Sequence, residues 1–265
     1  MNSPAEIARL YVDTGVQKSK LPFGKMLALA IFAGMFIALG GFASTVASHG
    51  IQSEAAGRLL SACIFPIGLM MVLVGGAELF TGNSLMLMPV FQKRASFWRV
   101  IWNWIVVYIG NFIGGLAIAY LVVNFCATGE HALYKGALAQ TMANTAVAKS
   151  SLGFLEAFVK GVLCNFMVCM AVWVSMAAAD VGGKILALYL PIALFVLCGF
   201  EHCVANMYYL PAGFFVSLKT GTDLGISVID ALFKNLIPVT LGNLVGGACV
   251  TGFGYWWIYL RGHAE

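Results

Sequence analysis

Residues 75–83 read GGAELFTGN and residues 198–206 read CGFEHCVAN, so the spacing Gly-x-Glu-x-x-x-x-Asn occurs twice, as Gly76, Glu78, Asn83 and as Gly199, Glu201, Asn206. Both copies lie inside long apolar stretches, where an ionisable side chain is unfavourable unless it has partners. Two roles fit such a cluster. The carboxylates and asparagines can hold an interrupted helix together, accepting bonds from the N–H groups that open a half-helix and bridging donors to acceptors. Alternatively, the glutamates can relay protons. The spacing leaves both open.

The second copy carries His202 where the first carries Leu79, and it is the only histidine in an apolar span; His49, His131 and His263 fall in loops or the tail. A single imidazole with no second His, Asp or Cys four residues away does not make a metal site, so neither a metal nor a cofactor is expected. What it can do is offer a hydrogen bond or a proton to a passing anion, because its ordinary pKa of about 6.5 lies near neutrality. Thr81, Asn165 and Lys149 could line the same path, although each also fits a structural role. Lys149 taken alone reads as an interfacial anchor, while on a pore mouth its charge would collect monovalent anions; Glu156 and Lys160, four apart, read as a helical ion pair. Cys203 adjoins His202, but neighbours on a helix point about 100° apart and do not form a nucleophile–base pair. No enzyme is expected.

Something must hold these groups in place, and the composition says what. Of 265 residues, 61% are hydrophobic and 10% charged, with 30 glycines and a mean hydropathy of +0.90. This is the composition of a polytopic membrane protein. Apolar runs long enough to cross about 30 Å of hydrocarbon are expected near 25–47, 59–90, 100–125, 154–179, 185–218 and 229–260. The polar opening at 1–24 is expected to be a short amphipathic surface helix and not a removable signal peptide. The seven cysteines lack a C-x-x-C spacing and read as small core residues. A net charge of +4 reports topology and not nucleic-acid binding. With the N-terminus inside, nine cations (Arg9, Lys18, Lys20, Lys25, Lys93, Arg94, Arg99, Lys184, Arg261) face the cytoplasm and six (Arg58, Lys135, Lys149, Lys160, Lys219, Lys234) face out. That asymmetry puts both termini in the cytoplasm.

A second matched pair, GNFIGG at 110–115 and GNLVGG at 242–247, follows the first pair by one span in each half. The chain therefore reads as one membrane domain: segment 1–24, a three-span repeat over 25–125, an outer loop over 126–153, a second repeat over 154–260 and a tail over 261–265. Three is odd, so the copies are expected to face opposite ways, with interrupted spans two and five meeting near the midplane. The glycines of the second pair are expected to let helices pack closely. The inverted plan is also that of aquaporin-type pores for neutral solutes, but their paired N-P-A signature is absent: residues 83–85 read NSL and 206–208 read NMY.

GGAELFTGN, CNFMVCMAVW, GFEHCVANMYYLP, NLIPVTLGNLVGG and YWWIYL, in that order along nearly the whole chain, resemble the formate/nitrite transporter family of formate, nitrite and hydrosulfide channels. The resemblance implies a homopentamer of all-α, aquaporin-like six-helix protomers with helices two and five broken and one pore per protomer. It implies that His202 is the central histidine with Thr81 and Asn165 as polar companions, that Lys149 lies in the outer vestibule, and that Glu201 stands beside the histidine. Constrictions are implied at Phe65, Leu69, Leu79, Phe80 and Phe195. The implied substrate is a small monovalent weak-acid anion, formate first, with nitrite and hydrosulfide as alternatives, moved with a dependence on pH across the cytoplasmic membrane.

Overall fold

The computed structural model describes residues 1–130, 132 and 136–262; His131, Lys135 and His263, assigned above to loops and tail, lie outside the described residues. The chain is helical throughout its ordered elements. Helix α1 (Pro4–Ser19) opens on a capping box in which Ser3 and Glu6 bond each other reciprocally. These bonds, led by the one from the Ser3 main chain, hold the Glu6 carboxyl below its usual range. Then come α2 (Phe23–Ser48), α3 (Glu54–Ile64), α4 (Ile67–Val74), the short α5 (Phe80–Asn83) and α6 (Leu87–Phe91), and α7 (Phe97–Val122). The second half runs α8 (Ala137–Ser150), α9 (Phe154–Ser175), α10 (Val181–Leu197), α11 (Cys203–Thr220), α12 (Val228–Asp230), α13 (Ile237–Leu244) and α14 (Gly254–Tyr259), the last three joined by π-helical turns.

Among the described residues, five helical stretches are long and apolar enough to cross a membrane: 23–48, 54–74, 97–127, 154–175 and 228–259. The fifth apolar run of the sequence is not one of them. It is divided into α10, of 17 residues, and α11, of 18, by a non-helical segment at 198–202, a turn followed by a short stretch that is extended at His202. The second run is divided in the same way, between α4 and α5. Both divisions begin at a glycine in the left-handed region, Gly76 (φ +72°) and Gly199 (φ +69°), a conformation that other residues adopt only at a steric penalty. Residues 126–153, expected as an outer loop, instead contain α8, which packs its buried face of Leu138, Met142 and Ala146 on α11.

Close packing follows from the glycines of the matched GN-x-x-GG motifs. A Cβ on Gly114 would fall on the carbonyl oxygen of Ile31, and one on Gly246 on that of Val162, so α7 and the α13 region lie backbone to backbone against α2 and α9. Gly246→Ala is therefore expected to cost about 3 kcal/mol, the upper end for overpacking, because main chain cannot step aside as a side-chain tip can. Gly254→Ala, with nothing within 4 Å of its new methyl, serves as the control. Thermal unfolding of the purified proteins checks this, and equal melting of the two variants would refute the packing argument.

Candidate functional site

Each break is closed by an asparagine from another helix. Asn111 accepts the Phe80 N–H at 2.9 Å and donates to the carbonyls of Ala30 (2.8 Å) and Glu78 (2.9 Å). Asn243 accepts the Cys203 N–H at 2.9 Å and donates to Gly161 (2.8 Å) and Glu201 (3.0 Å). One side chain thus answers the exposed backbone on both sides of each gap, as a helix interrupted in hydrocarbon requires. The Glu78 and Glu201 carboxylates do not take that part. Glu78 binds Lys18 Nζ at 2.7 Å and Asn83 Nδ2 at 2.7 Å; Glu201 binds Lys149 Nζ at 2.8 and 3.0 Å, Asn206 Nδ2 at 2.7 Å and Asn235 Nδ2 at 3.1 Å. The physical reason is charge: a buried carboxylate is best answered by a cation, and neutral N–H groups by a neutral amide.

The two clusters share a lysine–glutamate–asparagine core, with Asn83 donating to Asn103 Oδ1 (2.9 Å) and Asn206 to Asn235 Oδ1 (2.6 Å). They differ at two edges: Asn235 Nδ2 reaches the Lys149 carbonyl at 3.0 Å and Glu201 at 3.1 Å, whereas Asn103 Nδ2 is buried with no partner among the described residues; and Lys18 reaches Asn83 Oδ1 at 3.1 Å, whereas Asn206 Oδ1 has no such partner. Asn103, Asn111, Asn235 and Asn243, together with Lys18, are the residues that sequence reasoning passed over. Asn-x₇-Asn, at 103/111 and 235/243, is a spacing shared by both halves that could have found the first four.

At the centre, Thr81 Oγ1 lies 2.9 Å from His202 Nε2. His202 also caps α11, its Nδ1 accepting the Ala205 N–H at 3.0 Å. An Nδ1 that accepts carries no proton, so the neutral ring holds its hydrogen on Nε2, toward Thr81. Phe195 stacks on the imidazole (5.9 Å, 20°) and meets Phe65 edge-on at 5.6 Å. Asn165 stands behind Thr81, donating to its carbonyl (3.2 Å), to Ser84 Oγ (3.1 Å) and to the Asn243 carbonyl (2.6 Å).

Two cavities flank this pair and share no lining residue. One, about 200 Å³, is lined by Phe65, Phe195, His202, Lys149, Glu201 and Asn206; the other, about 300 Å³, by Leu69, Leu79, Asn83, Lys18 and Lys184. Thus the structure gathers His202, Lys149, Phe65 and Phe195 at one mouth and Leu69 and Leu79 at the other. Thr81 and Asn165 line neither cavity, being fully buried between them. Phe80 also lines neither mouth: its ring packs on Tyr108 at 4.9 Å, because it follows Leu79 directly and must point elsewhere. Lys149 is neither a snorkelling anchor nor a free charge, since it turns inward onto Glu201. Glu156 and Lys160 pair at 2.6 Å. Among the described residues, no group of three or more His, Cys, Asp or Glu could hold a metal.

The profile of the formate/nitrite transporter family matches residues 5–257, that is, both breaks, the histidine and the helices that hold them. The chain belongs to that family. A protein of Methanothermobacter thermautotrophicus described as a probable formate transporter is 39% identical to it over 279 residues, covering 98% of this chain and 97% of that protein. The formate channel FocA of Escherichia coli K12 is 35% identical, covering 97% and 94%. Among solved structures, a pentameric formate channel with formate bound superposes with a TM-score of 0.77 at 33% identity, covering 90% of this chain and 98% of that one. Membership of the family makes this chain a multi-pass membrane transporter and not an enzyme.

Proposed function

We propose that this chain is a channel for small monovalent weak-acid anions, formate foremost, working as a homopentamer in the cytoplasmic membrane with both termini inside and its two halves oppositely oriented. The observation that carries this reading is the Thr81–His202 pair set between two cavities, one lined by His202 itself together with Phe65 and Phe195, the other by Leu69 and Leu79. A bare anion is unfavourable between Phe65 and Phe195 or Leu69 and Leu79. At the centre it finds an Nε2–H and the Thr81 hydroxyl in place of lost hydration. Passage is proton-coupled in this scheme. A proton arriving at Nδ1 displaces the Ala205 bond, the Nε2 proton moves to a substrate oxygen, and formic acid leaves as a neutral molecule while the ring remains neutral as the other tautomer.

Formate, nitrite and hydrosulfide uptake compared by stopped-flow in proteoliposomes tests the substrate. Formate is expected to be fastest by roughly tenfold, a difference of about 1.4 kcal/mol in barrier. Formate entry no faster than into empty vesicles overturns the reading, and a faster nitrite or hydrosulfide reassigns it. Native mass spectrometry of the same preparation is expected to give a pentamer; a stable monomer or trimer would count against the assembly.

A further inference from the structure

The two mouths differ in charge. In the mouth lined by Lys149, the ammonium lies against both oxygens of Glu201, so that pair presents no net formal charge. The mouth beneath α1 holds two lysines. Lys18 is answered by Glu78 at 2.7 Å and by Asn83 Oδ1 at 3.1 Å. Lys184, in the first turn of α10, is exposed and makes no ion pair among the described residues. The nearest acid in sequence, Asp180, caps α10 through the Gly183 N–H at 2.7 Å and so answers the positive end of that helix. The neutral donors of this mouth are committed as well: Thr14 donates to the Leu10 carbonyl, Ser175 to that of Val172, and Tyr11 to that of Gly82. They turn lone pairs, not hydrogens, toward the cavity. Among the described residues of this mouth, Lys184 alone keeps its whole ammonium uncommitted.

We infer that Lys184 is the anion-receiving group of the α1-side mouth, and that its ligand is a small monovalent carboxylate or like oxyanion bound before the Leu69–Leu79 barrier. This rests on the proposed anion transport and adds an asymmetry to it: anions are concentrated on the α1 side and not on the other. A unit charge about 4 Å from an anion in a water-filled mouth is worth about 1 kcal/mol, or about fivefold in local concentration. The effect is screened away in 1 M salt, where the Debye length is about 3 Å.

The test is initial formate flux from each face, in sealed membrane vesicles of both orientations, for wild type, Lys184→Gln and Lys20→Gln, the last being an α1-side cation that does not line the cavity. Lys184→Gln is expected to raise the KM about fivefold from the α1 side alone at low salt, with the curves converging at saturating formate and in 1 M salt. An unchanged KM, an equal rise from both sides, or the same shift in Lys20→Gln would each overturn the inference. Wild type failing to move formate would strike the transport reading instead. The site is then read separately by the broadening of the carbon-13 formate resonance on adding solubilised protein: weaker broadening in Lys184→Gln supports the site, and equal broadening overturns it.

Discussion

Lys149→Ala should destabilise the protein by about 3–5 kcal/mol and abolish transport, because removing one partner of a buried pair leaves the other charge uncompensated. The side chain of Glu201 is 8% exposed, and its remaining partners, Asn206 and Asn235, are neutral amides. They cannot replace a cation in surroundings from which water is largely excluded. The effect would reach His202 directly, since Glu201 precedes it in the non-helical segment that Asn243 pins. The double variant Lys149→Met with Glu201→Gln removes both charges while keeping a carbonyl for the asparagines, so it should recover most of the lost stability. A lysine that only gathered anions would behave differently: its alanine variant would fold normally and show a salt-sensitive KM. Melting temperature and formate flux, measured together on the three proteins, separate the two. Normal stability in Lys149→Ala would dismiss the buried-pair account.

The second large effect is expected at His202, and two substitutions divide its roles. Asparagine is a good helix N-cap, so His202→Asn can still answer the Ala205 N–H, but it lacks a second ring nitrogen to hand a proton onward. Phenylalanine can do neither, leaving a main-chain N–H and the Thr81 hydroxyl without their partner. Wild-type formate uptake should rise as pH falls, because each substrate leaves with a proton and protons become more available. In His202→Asn that slope should flatten, and uptake at low pH should fall by about 10- to 150-fold, the equivalent of losing one hydrogen bond to a charged group worth about 1.5–3 kcal/mol. His202→Phe should pass almost nothing at any pH. Three profiles of one shape, differing only by a scale factor, would make His202 a structural cap and end the proton-coupled scheme.

Much of the scaffold is legible in the sequence. A glycine two residues before a glutamate, inside an apolar run and repeated after 123 positions, marks a helix that stops where hydrocarbon would not allow it to stop unaided. Both breaks lie there, and both glycines take the left-handed conformation. The partner that closes each break was harder to see. Asn111 and Asn243 stand inside motifs whose glycines already had a packing explanation, and a residue inside an explained motif draws no separate question. Lys18 left no local trace, because its carboxylate is 60 residues away and α1 reads as an ordinary amphipathic surface helix. Lys149 was visible as a cation near an apolar run, but its pairing with Glu201 was not, and the pairing changes its part from collector to counter-charge. The order Leu79–Phe80 carries no sign of which side chain faces the cavity; the first turn of α5 decides that in favour of Leu79.

The matched clusters also bear on how the chain is made. In both, the lysine comes first: Lys18 is synthesised 60 residues before Glu78, and Lys149 52 residues before Glu201. At about 5–20 residues per second, each cation exists for several seconds before its carboxylate emerges. Neither glutamate therefore has to leave water alone, since α1 or α8 is already available when the broken span is inserted. The asparagines that complete each cluster, Asn103 and Asn235, arrive 25 and 34 residues after their glutamates. Biogenesis then has an order in which charge is neutralised first and amide geometry follows. Moving the α1 segment to the far end of the chain would leave the fold's contacts unaltered on paper but reverse that order for Glu78, exposing an unpaired acid to the insertion machinery while the rest of the protein is still being made.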